Sequence, residues 1–270
     1  MIIETLSTFP GMFESVMGAS MMRIAQEKGL LDFTAYDLRD WTHDRHRTTD
    51  DDPYGGGVGL VMKCGPIFEA YQDITSIDLG IEPACASGNE QPHTGPAPRH
   101  ADGVKPKTIF PTPCGRRFDD SLANELAAET RLLFICGHYE GIDERVYELA
   151  DYQISLGDYV ITSGELASMI VIDAVVRKID GVLGADGGAL DESFADGLLE
   201  YPQYTRPASY FDRDVPEVLL SGDHGAVDKW RHEMSLMRIA KLRPDLIDDT
   251  QLEEDDLNFL KSSLSERRSR

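Results

Sequence analysis

Apolar and polar positions along this chain change period several times, and each change marks an element. Residues 2–8, IIETLST, read as a strand. Over 11–29 apolar residues fall at 13, 16, 17, 21 and 24, which is helical spacing, and the run stops at Gly29. LDFTAYDL (31–38) alternates with period two, as a half-buried strand does. A polar loop follows, and Pro66 opens a short helix, PIFEAYQDI.

Residues 78–104 are rich in Gly, Pro, Ser and His and have no period, so they read as a long loop insertion. KTIFPTP and RLLFICG read as short strands around a helix, DDSLANELAAET, with Asp or Ser at hand as its cap. DERVYELA reads as a short helix, and YQISLG and YVIT as strand pieces. GELASMIVIDAVVRKI is the longest apolar helix and is expected to be buried on more than one face. Alternating strands and helices predict an α/β domain with a mostly parallel sheet over 1–183. Residues 184–205 read as a glycine-rich linker, and 206–270 as a helical domain.

Composition narrows the class. With 270 residues and 41% apolar content, the chain can bury a sizeable core. Four widely spaced cysteines form no C-x-x-C pair, which fits reduced thiols rather than a disulfide frame or a zinc site. The N-terminus lacks a basic region and a long apolar run, so no signal peptide is expected. The expectation is a soluble cytoplasmic protein. A net charge of −22 speaks against a polyanionic partner on average. Against that average stand local basic clusters, HDRHR (43–47), KPK (105–107), GRR (115–117), DKWRH (228–232) and RIAKLR (238–243).

Candidate chemistry gathers at strand ends. FICGHYEGIDERV and ISLGDYVITSGELA each run from an apolar strand into glycine and acid, and FPTPCGRR adds a third turn. In open α/β sheets, ligands bind beyond the carboxyl ends of the strands. Bare backbone there suits a flat heterocycle, and acids suit ribose hydroxyls or a cationic centre; tight turns needing positive φ would look the same. Phosphate-loop, dinucleotide, zinc-protease and hydrolase-elbow motifs are absent. Arg177 ends the long apolar helix, and LDESFADG (190–197) follows with three acids. An arginine and a carboxylate can together remove a proton and stabilise the developing oxyanion. A helix-end arginine beside a solvated acidic loop is the structural alternative.

Seven segments, in order, resemble the bacterial tRNA (guanine-N1)-methyltransferases: PYGGGVGLVMK, CGHYEGIDERV, SLGDYVITSGELA, IDAVVRKIDGVLG, SFADGLLEYPQYTRP, VPEVLLSGDHGAVDKWR and RPDLI. The resemblance implies a SPOUT-type α/β fold with a deep C-terminal trefoil knot, unusual against the general rarity of knots. It also implies a small helical C-terminal domain that helps hold tRNA, and a homodimer with shared active sites. The implied cofactor is S-adenosylmethionine, and the implied reaction is methylation of N1 of the guanosine immediately 3′ of the anticodon. A magnesium requirement stays open, and no membrane partner is implied.

Matched to the family's motifs, the cofactor positions are Phe110, Pro111, Thr112, Pro113, Gly137, Glu140, Leu156, Gly157, Asp158, Tyr159, Val160, Ile161, Ser163 and Gly164. Implied substrate contacts are Tyr54, Gly55, Gly57, Gly59, Arg206, His224 and Arg231. Arg177 matches the cation that would meet charge on guanine O6. The base is ambiguous: the usual acid-Asp-Ser-Phe reads Asp191-Glu192-Ser193-Phe194 here, so direct register favours Glu192 and a one-residue slip favours Asp191. Other departures are Val58, His138 and Thr162-Ser163, where the family often has proline or alanine, arginine, and Ser-Gly. The competing class is a catalytically silent RNA- or nucleotide-binding module on the same scaffold.

Overall fold

The computed structural model describes residues 1–81, 103–183, 192–194, 197–247 and 252–268. It divides into two compact units, Met1–Gly184 and Ala185–Arg270. The first unit carries strands β1 (Ile2–Ser7), β2 (Asp32–Asp37), β3 (Asp50–Asp51), β4 (Val61–Met62), β5 (Lys107–Arg117), β6 (Arg131–Ile135) and β7 (Tyr152–Ser155). Its helices are α1 (Glu14–Met17), α2 (Ser20–Glu27), α3 (Cys64–Thr75), α4 (Asp120–Ala127) and α5 (Gly164–Val176). The second unit has the short strands β8 (Ser209–Tyr210) and β9 (Arg213–Asp214) and the helices α6 (His224–Leu242) and α7 (Glu254–Arg268).

Five strands form one sheet in the order β2-β1-β6-β5-β7, and every neighbouring pair is parallel. The α/β class with a mostly parallel sheet therefore holds. Such a sheet needs both faces covered, and the period-two pleat supplies two apolar faces. On β6, Leu132 and Phe134 join Phe13, Met22, Leu122 and Val171 on one face. Leu133 and Ile135 join Tyr36, Trp41, Ile67 and Ile74 on the other. One buried ion pair crosses the strands: Arg131 Nε donates to Glu4 Oε2 at 2.8 Å, and the Tyr36 hydroxyl donates to Glu4 Oε1 at 3.0 Å. The remaining guanidinium nitrogens reach Ile74 O and Val104 O, both at 2.8 Å, so neither charge is left without partners.

Several elements differ from the expectation. The helix read over 11–29 breaks into a 3-10 turn (Pro10–Phe13), α1 and α2. The break falls at Gly18, where Ala19 goes extended before α2 begins. DERVYELA winds as a 3-10 turn over Glu144–Leu149. YVIT is not a strand. The chain has left β7 by Gly157, and Tyr159, Val160 and Ile161 are exposed and belong to none of the described strands. Most of the 78–104 insertion lies outside the described residues.

β5 carries a bulge. Pro111 and Arg116 both face Ile154 of β7, so the residues between them loop out of the ladder at the sheet's carboxyl end. In the second unit, Leu236 and Ile239 of α6 pack with Leu198 and Leu260. Asp223 caps α6 by accepting from Ala226 N–H at 3.1 Å, and His232 of α6 meets Asp256 of α7 at 2.8 Å.

Candidate cofactor and active site

Three loops at the carboxyl ends of β5, β6 and β7 enclose a cavity of about 410 Å³. That is within the range that takes a drug-sized ligand. The β5 bulge supplies one wall with Pro111, Thr112, Pro113 and Cys114; the loop after β6 supplies Gly137 to Ile142; and the loop after β7 supplies Leu156, Gly157 and Tyr159 to Ser163. Ser163 then caps α5, accepting from Leu166 N–H at 3.4 Å. Gly164 N–H donates to Gly137 O at 2.8 Å. A Cβ on Gly164 would fall 2.6 Å from Gly137 N and 3.0 Å from the Cys136 Cα, so only glycine allows the two loops to meet backbone to backbone.

The walls are tuned from behind. The fully buried Phe110 ring packs 5.1 Å from the Tyr147 ring, which lines the cavity. Burial pushes the Tyr147 phenol above its ordinary range, and a hydrogen bond with Thr112 opposes the shift. Asp143 caps the following 3-10 turn, and its bonds to Arg145 at 2.8 and 2.6 Å hold its carboxyl below the usual 3.8. Under the cavity Glu165 is wholly buried in the first turn of α5. The Ser7 hydroxyl donates to its Oε1 at 2.5 Å, while His138 Nε2 lies 3.1 Å from Oε2 but out of line for a hydrogen bond. A carboxylate there gains from the positive end of the helix dipole. Burial, with Glu165 nearby, pushes the Cys136 thiol well above its ordinary value, and a bond with Ser168 partly offsets this.

The glycine loop joins β3 to β4. Tyr54 at its tip is fully exposed, and Gly55, Gly57 and Gly59 all have positive φ. In the second unit a smaller cavity of about 250 Å³ is lined by Glu192, Tyr201, Asp228, Arg231 and His232, among others. The Arg231 guanidinium stacks 4.8 Å from the centre of the Tyr201 ring and lies 3.5 Å from Asp228.

A model of the family described as tRNA (Guanine-1)-methyltransferase TrmD matches residues 1–249. The chain belongs to this tRNA (guanine-1)-methyltransferase family. It is 48% identical over 260 residues to the tRNA (guanine-N(1)-)-methyltransferase of Desulforudis audaxviator, covering 96% of this chain and 95% of the relative. The enzyme of the same name from Geotalea uraniireducens is 46% identical over 263 residues, with 96% of each chain covered. That of Geobacillus kaustophilus is 42% identical over 268 residues, covering 99% of this chain and 100% of the relative.

Among the residues that family resemblance singles out, Pro111, Thr112, Pro113, Gly137, Glu140, Leu156, Gly157, Tyr159, Val160, Ile161, Ser163 and Gly164 line the larger cavity. Phe110 stands behind the wall, and Asp158 is exposed and off the lining. Arg177 is half-buried at the C-terminal end of α5, roughly 20 Å along the helix from Gly164 at about 1.5 Å per residue. Glu192 is half-buried in the second unit, and Asp191 lies outside the described residues. Arg206 and His224 are exposed, His224 as the first residue of α6. Sequence reasoning missed Tyr139, Tyr147, Ser7 and Glu165. The E of TSGEL reads as an ordinary first-turn acid, and only the tertiary fold brings Ser7, 158 residues away, to it. Among the described residues, no group of three or more His, Cys, Asp or Glu could hold a metal ion. No described helix is long and apolar enough to cross a membrane.

Proposed function

We propose that this family member binds S-adenosylmethionine in the larger cavity and methylates N1 of the guanosine immediately 3′ of the anticodon in tRNA. The observation that carries this is bare backbone from three strand ends around one ligand-sized cavity, in a chain that belongs to the methyltransferase family. The cavity fits the cofactor. Peptide groups of Leu156, Gly157 and Tyr159 to Thr162 offer donors and acceptors to an adenine edge, and Glu140 and Glu144 offer negative charge to a cation. When bound, S-adenosylmethionine supplies an electrophilic methyl group.

The chain's own residues do the rest. Guanine N1 carries a proton at neutral pH, so Glu192, or Asp191 beside it, accepts that proton. Arg177 meets the negative charge that develops towards O6. Residues 1–183 form the cofactor-binding domain, 184–205 the linker carrying the acid, and 206–270 the tRNA-binding domain. Arg206, His224, Arg231 and the glycine loop (Tyr54, Gly55, Gly57, Gly59) face the tRNA. The exposure of Arg206, His224 and the glycine loop, complete at Tyr54, supports that role, and Arg231 is half-buried. The connection from β7 into α5 is threaded as a trefoil knot. The tight Gly164–Gly137 approach supports this reading.

Two chains pair with shared active sites. Exposed Leu166 and Ile170, one turn apart on α5, with Val160 nearby in sequence, support an apolar interface. The position of Arg177 at the far end of α5 from the cavity supports a site completed by a second chain. A tRNA substrate puts the work in the cytoplasm. The deciding experiment exposes unmodified tRNA to the purified protein and S-adenosylmethionine and maps the methylated nucleotide by mass spectrometry. A methyl group on another nucleotide sinks the assigned position, and no methyl transfer at all returns the silent-module alternative.

A further inference from the structure

The end of the glycine loop is fastened to the loop after β6. Glu140 N–H donates to Leu60 O at 3.1 Å, Met62 N–H to Gly141 O at 3.0 Å, and Asp143 N–H to Met62 O at 3.0 Å. The His138 amide meets Met62 Sδ at 3.2 Å. Tyr139 holds φ at +59° between His138 and Glu140. This ladder sets Gly59 directly against the Glu140 side chain. A Cβ on Gly59 would fall 2.4 Å from Glu140 Cγ, 2.5 Å from Oε1 and 2.8 Å from Cδ. No methyl group fits at those distances, so any side chain at 59 forces Glu140 to another rotamer. Glu140 lines the cofactor cavity.

We propose that Gly59 is a positioning residue for the cofactor site. Its bare Cα lets the Glu140 carboxylate keep its place in the cavity, so the substrate-facing loop and the cofactor loop move as one. The proposal rests on the S-adenosylmethionine reading above. It gives the glycine loop a second task, since a loop pulled away by its own ligand also releases or fixes Glu140. Coupling of this kind is reciprocal: tRNA on the loop and cofactor in the cavity must change each other's affinity by one factor.

Titration calorimetry of the full chain with S-adenosylmethionine tests it. Gly59→Ala is expected to weaken binding about tenfold, the low end for losing a contact to a charged group. Gly56→Ala is the control for backbone strain. Its φ is +78° but nothing lies within 4 Å of its added Cβ, so affinity should stay at the wild-type value. In a Glu140→Ala background, Gly59→Ala should add no further loss, whereas a merely structural role would cost affinity in both backgrounds. If Gly59→Ala does not fold, Glu140→Asp withdraws the carboxylate without touching position 59 and should weaken binding alike. A wild-type chain that ignores S-adenosylmethionine overturns the cofactor reading itself. If the wild type binds, either of two results overturns the positioning role alone: unchanged affinity in the Gly59→Ala variant (or in Glu140→Asp), or an equal loss without Glu140.

Discussion

At the scale of single residues, the proposed chemistry rests on Arg177 and the acids of residues 184–205. Arg177→Ala is expected to reduce turnover about a hundredfold, the loss seen when a preorganised charge aimed at a transition state is removed, with little change in S-adenosylmethionine affinity. Single-turnover kinetics beside calorimetry separates the two, and a loss confined to affinity would deny the role. For the base, Glu192→Gln keeps size and hydrogen bonding but removes the proton acceptor. It should cut methyl transfer steeply at neutral pH while S-adenosylmethionine and tRNA still bind, and Asp191→Asn should do little. Raising the pH should partly restore Glu192→Gln, because guanine N1 then sheds its proton with less help. The reverse ranking of the two variants would mean the register slips by one residue. Both acids were legible as candidates because an acid run after a helix-end arginine is a local pattern. Glu165 was not, since its burial arises from contacts with Ser7 and His138 that no local pattern records.

At the scale of elements, the turns after strands were readable because glycine and acid interrupt apolar runs abruptly. Two features escaped. YVIT has the composition of a strand, yet Gly157 turns the chain out of the sheet and leaves those side chains as cavity wall. The β5 bulge escaped as well. A register slip needs the partner strand to be seen, and FPTPCG alone reads as a strand running into a turn. The bulge makes a prediction of its own. Cys114 on it is exposed and lines the cavity, whereas Cys136 is wholly buried with its thiol pushed up. Thiolate is the reactive form, so an alkylating reagent at pH 8 should label Cys114 and spare Cys136 until the chain unfolds. S-adenosylmethionine should slow labelling of Cys114. Peptide mapping reads each cysteine separately, and equal rates with and without the cofactor would take the bulge out of the binding wall.

At the scale of the whole molecule, the acidic average and the basic clusters act over different distances. Screening confines attraction between exposed charges to roughly 8–10 Å at physiological salt, so local clusters can hold a polyanion that the net charge of −22 repels from afar. Assembly is the larger question. The parallel sheet was legible from alternating periods, but which chain completes a site is not written in any one stretch. It rests on α5, whose first turn borders the cavity and whose last residue precedes Arg177. Mixed dimers decide it. Arg177→Ala chains and Glu140→Ala chains are each expected to be nearly inactive at S-adenosylmethionine too low to fill the second variant's cavity. In a heterodimer with shared sites, the intact cavity of the first chain meets the intact arginine of the second, and the other site collects both lesions. Random exchange makes half the dimers hybrid, so about a quarter of all sites should become active. If each chain instead supplies its own arginine, every site keeps one lesion and mixing restores nothing. Sedimentation run in parallel must show dimers at the assay concentration, and an active monomer would end the shared-site reading outright.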